Sequence, residues 1–167
     1  MFNIGILQLT QHLDDAVKGF KEGLRNLNVD VTYHYLNADG NIAELPKLAD
    51  ILATKKVDLI FACSTPAAKA AVALTENIPV LFTPVFDPVS VNLVESMNKP
   101  NGKATGMSGM VAAPDKLSFI KNILPNAKKI ALLYHNADDN SVIEKNNILK
   151  NNTTLAIQEI ALTSAED

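Results

Sequence analysis

The sequence predicts an α/β fold in which a parallel sheet carries helices on both faces. Short apolar runs of strand length alternate with longer stretches whose apolar residues recur every three or four positions. This alternation predicts parallel strands joined by right-handed helical crossovers. Hydrophobic residues make up 47% of the 167 residues, which is enough to bury a sizeable core.

The chain opens with a strand, a helix and a second strand. Ile4 to Leu7 predicts a short apolar strand, and Val29 to Leu36 predicts the next one. Between them, one apolar stripe at helical spacing is made by Leu13, Ala16, Val17, Phe20, Leu24 and Leu27. The run from Asp39 to Asn41 then predicts a turn around Gly40.

A second helix and two buried strands follow. The apolar face of this helix is made by Leu45, Leu48, Ala49 and Leu52. Pro46 is tolerated there only in the first turn, where its missing N–H is not needed. Strands are predicted from Asp58 to Cys63 and from Val80 to Thr83. Between them a helix runs from Pro66 to about Leu74, with Thr65 as its expected N-cap.

The pattern changes after this strand. Pro84 to Pro88 predicts a loop, in which Asp87 stands before a proline as a cap residue would. Ala104 to Ser108 predicts a short strand, and Gly106 and Gly109 are expected to flank a hinge.

A second α/β unit is then expected, and it is incomplete. Its predicted elements are a helix over Pro114–Leu124, a strand over Lys129–Tyr134, a helix over about Asp139–Lys150 and a strand over Thr154 to about Leu162. Two strands make a poor sheet. We therefore expect a first lobe over residues 1–108 and the beginning of a second lobe over residues 109–167.

Two hydroxyl residues, Ser64 and Thr65, lie where the buried strand meets its helix. A helix start offers unpaired N–H groups and a partial positive charge, which suit a carboxylate or a phosphate. In an open α/β sheet, ligands also bind outside the carboxyl ends of the strands. Helix capping alone is the alternative interpretation of this pair.

Composition excludes several other classes of function. The net charge is −3 with both signs mixed, and no basic stripe indicates nucleic-acid binding. A single cysteine, Cys63, excludes an internal disulfide and is expected to be buried and inert.

No catalytic motif, phosphate loop or metal-ligand spacing stands out, so we expect neither an enzyme nor a cofactor or metal. No apolar run is long enough to span a membrane, and Met1 leads directly into the first strand without an export signal.

Several short motifs resemble the ABC-transporter substrate-binding proteins of the tryptophan/tyrosine type. The matching segments, in order along the chain, are Gly5 to Gln8, Val57 to Ile60, Ser64 to Ala68, Asp87 to Val89, Thr105 to Ser108, Ile123 to Ile130, Leu133-Tyr134 and Asn140-Ser141.

This resemblance implies two Rossmann-like lobes of the type I periplasmic-binding-protein fold, with a small amino-acid-like ligand held between them. It also implies a bacterial, exported protein at the periplasmic or extracellular face of the membrane, which delivers its ligand to an ABC permease. The family's better-known ligands are aromatic. The incomplete second lobe leaves self-association as one further expectation.

An amino-acid ligand needs donors for its carboxylate, an anionic acceptor for its ammonium group and apolar walls for its side chain. Ser64 and Thr65 are the expected donors. Asp87 is the expected acceptor, with capping of a short helix as its alternative role.

Other residues near strand ends and near the expected hinge are further candidates for ligand contacts. In the first lobe these are Gln8 and Thr10, with loop polarity as the alternative, His12, with a capping or surface role as the alternative, and Thr83, Met107 and Ser108. In the second lobe they are Tyr134, with packing as the alternative, and Asn140 and Ser141, with helix capping as the alternative.

Two other functions remain open at this stage. A sensory or regulatory domain could use the same lobes to bind an effector. An enzyme acting on a phosphorylated substrate at the Ser64-Thr65 helix start is the more remote alternative.

Overall fold

The computed structural model describes residues 1–75 and 77–163. The chain divides after Gly109 into two compact units, which we call unit 1 (residues 1–109) and unit 2 (residues 110–167). The α/β fold and the predicted order of strands and helices are confirmed.

Unit 1 is built on a five-stranded parallel sheet with the strand order β2-β1-β3-β4-β5. Its elements are β1 (Phe2–Gln8), α1 (Asp14–Asn26), β2 (Val31–Asn37), α2 (Leu45–Thr54), β3 (Leu59–Cys63), α3 (Thr65–Leu74), β4 (Val80–Val85) and β5 (Ala104–Ser108). Short 3₁₀ turns at Gln11–Leu13 and Ile42–Glu44 precede α1 and α2.

Two apolar layers hold helices on opposite faces of this sheet. On one face, α1 buries Val17 against Ile4 and Ile6, and the Phe20 ring stacks on Phe61 at a centroid distance of 4.1 Å. On the other face α2 and α3 cover the sheet, and small alanines such as Ala49, Ala67, Ala68 and Ala71 let these helices approach closely. The helices therefore lie on the two faces of the sheet, and the carboxyl ends of the strands form an edge between these faces.

The structure corrects the prediction that a loop begins at Pro84. Strand β4 continues to Val85, and its ladder with β5 is irregular between Phe82 and Val85. Pro84 lies in this irregular stretch and is exposed. Proline cannot donate a ladder hydrogen bond, so an irregularity is where a strand tolerates it.

Gly106 packs closely against β4, and its expected place beside a hinge stays a prediction. Gly106 lies inside β5 and pairs with Phe82 of β4. A Cβ atom at this position would overlap the carbonyl oxygen and the ring of Phe82. Glycine is required here because β4 approaches closely, so its role is packing within unit 1.

Unit 2 has a two-stranded parallel sheet, with two helices on one face. Its elements are α4 (Ala113–Ile123), β6 (Lys129–His135), α5 (Asp139–Asn151) and β7 (Ala156–Leu162). The buried side chains of Leu117, Ile148 and Leu155 form its small core. Leu133 is 58% exposed and Ile160 37% exposed, and the two are register partners in the β6–β7 pair.

Candidate functional site

The carboxyl ends of the central strands of unit 1 form a continuous edge, which we call the carboxyl rim. Gln8 at the end of β1 is the register partner of Cys63 in β3, and Cys63 is the partner of Thr83 in β4. The Ser64 N–H donates to the carbonyl of Thr83 at 3.3 Å. The structure therefore brings Gln8, Ser64 and Thr83 to neighbouring strand ends.

Ser64, and not Thr65, is the N-cap of α3. Its hydroxyl oxygen accepts a hydrogen bond from the Ala67 N–H at 3.3 Å, while Thr65 is the first helical residue and is buried. The cap position has φ 102° and ψ 158°, a region that side-chain-bearing residues rarely adopt. A β-branched threonine fits such a positive φ less well than serine does, which explains why the cap falls one residue earlier than predicted.

Asp87 uses both carboxylate oxygens within its own turn. One oxygen accepts from the Ser90 N–H at 3.0 Å, and the other accepts from the Ser90 hydroxyl at 2.6 Å. The residue is only 9% exposed, and the segment after it is a turn without a helix. The alternative role expected for Asp87, capping of a short helix, is wrong, because its carboxylate closes a turn instead. A ligand contact by the same carboxylate stays a prediction.

Gln8 has no exposed surface, and its side chain joins two residues that the sequence did not single out. The Tyr35 hydroxyl donates to Gln8 Oε1 at 2.8 Å, and Gln8 Nε2 donates to Asp14 Oδ1 at 3.1 Å. Burial raises the pKa of Tyr35, and the negative charge of Asp14 raises it further. The signal available in the sequence was an amide that directly follows the apolar run Ile4 to Leu7.

The remaining unit 1 candidates differ in how free their side chains are. Thr10 is half-buried in extended conformation before the first 3₁₀ turn, and its side chain makes no capping bond. His12 is exposed within that turn, and Thr83 is half-buried at the rim. The Ser108 hydroxyl donates to the carbonyl of Phe86 at 2.7 Å, and Met107 is 69% exposed.

In unit 2, the candidates lie where β6 leads into α5. The Tyr134 ring lies under the ammonium group of Lys145, which is 4.5 Å from the ring centroid. Ser141 Oγ accepts from the His135 N–H at 2.8 Å and so ties the start of α5 to the end of β6. Asn140 Oδ1 is buried and has no hydrogen-bond partner in the part of the chain that the structure describes.

The thiol of Cys63 is buried against α1. Burial raises its pKa to about 12, with a smaller contribution from the negative charge of Asp14. The thiolate is the reactive form, so this cysteine is unsuited to nucleophilic chemistry at neutral pH. Within residues 1–75 and 77–163, no cluster of three metal-ligating side chains occurs, and none of the helices is long and apolar enough to cross a bilayer.

Comparison with known proteins decides the family. A family model described as "ABC transporter substrate binding protein" matches residues 3–167. The chain belongs to this family.

Among curated relatives of this substrate-binding protein is the tyrosine-binding protein of Clostridioides difficile strain R20291. The two are 35% identical over 173 residues, which cover 98% of this chain and 50% of the relative. The chain therefore spans about half the length of the curated relative that it matches.

Solved structures of similar proteins have the same fold. A ligand-free, open substrate-binding protein with adhesive properties from Clostridium difficile has a TM-score of 0.80 at 32% identity, covering 99% of this chain and 59% of that one. The ABC domain from Streptococcus pneumoniae in complex with L-Trp has a TM-score of 0.82 at 30% identity, covering 96% of this chain and 57% of that one. The leucine-binding protein LivK of Thermotoga maritima has a TM-score of 0.78 at 14% identity, and this chain covers 50% of it. At this identity the similarity concerns the fold alone.

Proposed function

We propose that this protein is the solute-binding component of an ABC uptake transporter and that it binds an aromatic amino acid at the carboxyl rim. Relatives at 30% and 35% identity are an L-Trp complex and a tyrosine-binding protein. The observation that carries the proposal is Ser64, whose strained backbone begins a helix at the row of strand ends. Strained residues of this kind cluster at ligand sites.

The carboxylate of the amino acid binds at the start of α3. The Ser64 hydroxyl and the Thr65 N–H donate to it, and the helix dipole favours the negative charge. Pro66 has no N–H, the Ser64 N–H donates to the carbonyl of Thr83, and the Ala67 N–H donates to the Ser64 hydroxyl oxygen.

The ammonium group of the amino acid binds Asp87. Both oxygens of this carboxylate already accept one hydrogen bond from Ser90. An ionised carboxylate offers about four lone-pair sites, so each oxygen can accept another bond. Thr10 and Thr83, both half-buried, complete the polar part of the site in unit 1.

Unit 2 contributes Tyr134, Asn140 and Ser141 to ligand binding. The buried Asn140 oxygen without a partner in the described residues supports this assignment, because such an acceptor normally costs about 1–3 kcal/mol. A ligand donor that fills it recovers this free energy. We further propose that ligand binding brings the lobes together by hinge closure within residues 107–113, with delivery to the permease at the periplasmic or extracellular face of the membrane.

Thermal unfolding of this chain against a panel of free L-amino acids tests the proposal. A ligand at about 100 times its dissociation constant adds about 2.7 kcal/mol to the free energy of unfolding. We expect stabilisation by L-tyrosine or L-tryptophan and none by their D-enantiomers, because binding at the rim depends on the relative positions of the carboxylate, the ammonium group and the side chain. Asp87→Ala is expected to abolish the shift.

Asp50→Ala is the matched control, since Asp50 is an exposed aspartate on α2 of unit 1. It is expected to keep the full ligand-induced shift. A panel without any stabilising amino acid would contradict the proposed ligand class, and an equal shift in both variants would remove Asp87 from the site.

A further inference from the structure

We propose that Gln8 is a positioning residue, which fixes the shape of the rim segment that follows β1. We call residues 9–13 the first rim segment. The inference rests on the proposed function, because ligand affinity is one of its two readouts. It replaces the expectation that Gln8 contacts the ligand directly.

The amide of Gln8 is out of a ligand's reach because it has no exposed surface. Its Oε1 accepts from Tyr35 and its Nε2 donates to Asp14. One N–H and one lone pair of the amide remain, but a ligand could reach them only if the residues packed around Gln8 moved apart. Such an opening would break bonds between buried polar groups, which is more costly than the bond gained.

The two partners of Gln8 come from the elements on either side of it. Tyr35 lies near the end of β2, 27 residues away along the chain. Asp14 is the first residue of α1 and directly follows the first rim segment. The side chain of Gln8 and the end of β1 therefore hold both ends of residues 9–13.

Backbone hydrogen bonds extend the same connection to the turn after β2. The carbonyl of Gln8 accepts from the Ala38 N–H at 2.9 Å, and the carbonyl of Leu9 accepts from the Gly40 N–H at 2.8 Å. Gln8 is thus the residue that joins the first rim segment, the turn after β2 and the start of α1. Thr10, a candidate ligand contact, lies within the segment held in this way.

The side chains of Tyr35, Gln8 and Asp14 form one row of hydrogen bonds, so the loss of one bond affects the other residues in the row. Gln8 Oε1 loses its described partner when the Tyr35 hydroxyl is removed, and a buried amide then favours another arrangement in which it is satisfied. The most accessible rearrangement is release of the first rim segment. This changes the position of Thr10 without removing any ligand-contacting group.

Tyr35→Phe is the informative variant because it deletes one hydroxyl at a residue that is already partly exposed. Tyr33→Phe is its matched control, since Tyr33 lies two residues earlier on the same strand and its ring faces Lys21. Asp14→Asn keeps a carbonyl-type acceptor for Gln8 Nε2, whereas Asp14→Ala removes it. Asp14→Asn therefore removes the negative charge and keeps the hydrogen bond, whereas Asp14→Ala removes both.

Two readouts are measured on the full chain: hydrogen exchange of the amides in residues 9–13, and the dissociation constant of L-tyrosine and L-tryptophan. We expect Tyr35→Phe and Asp14→Ala to speed exchange in this segment. We expect affinity in both to fall about 3- to 10-fold, as the loss of one net hydrogen bond would predict. Tyr33→Phe should behave as wild type, and Asp14→Asn should recover most of the affinity.

The outcomes separate this inference from the proposed function. If wild type binds none of the amino acids, the proposed function fails, and the exchange rates alone decide on Gln8. Unchanged exchange in Tyr35→Phe would overturn the inference. So would faster exchange with unaltered affinity in a wild-type protein that binds, since the segment would then have no bearing on the site.

Discussion

The backbone of Ser64 is where a single residue departs most clearly from ordinary geometry. Its φ of 102° and ψ of 158° lie in a region that glycine occupies freely and other residues do not. The chain nevertheless places a serine there, and its hydroxyl caps α3. A residue that combines strain with a useful hydroxyl is more readily explained by ligand binding than by stability.

Substitutions of Ser64 separate the strain from the cap. Ser64→Ala keeps the strained backbone and loses the cap, so we expect the free energy of unfolding to fall by about 1 kcal/mol. Ser64→Gly also loses the cap but relieves the strain, and glycine costs only a few tenths of a kcal/mol at an N-cap. Urea denaturation should therefore show the glycine variant about 1–2 kcal/mol more stable than the alanine variant. The reverse order would mean that the backbone at Ser64 is unstrained.

The N-cap of α3 is a residue that the sequence alone does not identify. Thr65 and Ser64 are both good N-cap residues, and a proline follows. The choice between them depends on a positive φ that no local pattern reveals. Gln8 is a similar case, because its partner Tyr35 comes from the neighbouring strand and only the register of the sheet brings them together.

At the scale of elements, the pairing of β4 with β5 depends on one glycine. The carbonyl and ring of Phe82 occupy the space where a side chain at position 106 would lie. Strand β4 was predictable from its apolar run, Val80 to Phe82. The close approach was not, because it depends on which residue of β4 faces Gly106 and on the irregularity at Pro84.

Gly106→Ala is expected to destabilise unit 1 by about 1–3 kcal/mol, the usual cost of an overpacked site, and more if β5 detaches. Gly19→Ala provides the control, since nothing lies within 4 Å of a Cβ there and the residue is in the middle of α1. We expect Gly19→Ala to stabilise the protein by about 0.5–1 kcal/mol, because alanine is the better helix former. Equal effects of the two variants in thermal unfolding would contradict the packing role of Gly106.

At the scale of the whole molecule, the alternation of strands and helices was sufficient to predict the α/β fold. It worked because each helix in unit 1 has an apolar face that must lie against a sheet, and the central strands β1, β3 and β4 contain short apolar runs. The strand order β2-β1-β3-β4-β5 adds what the sequence alone left open, namely which strand ends are neighbours. That order places Gln8, Ser64 and Thr83 along one edge.

The two units differ in how completely they bury their strands. Unit 1 covers its five-stranded sheet on both faces, whereas the two-stranded sheet of unit 2 leaves Leu133 and Ile160 partly exposed. The chain also covers only 57–59% of two solved relatives. Most of the proposed ligand contacts therefore lie in unit 1.

The most direct test is to map the binding of L-tyrosine onto the ¹⁵N-labelled chain by amide chemical shifts, with D-tyrosine as the control. We expect saturable shifts concentrated at the carboxyl rim, at the amides of Ser64, Thr65 and Ala67 and in the turns holding Thr10 and Asp87. Shifts confined to the opposite edge of the sheet, or a spectrum that L-tyrosine leaves unchanged, would contradict this expectation.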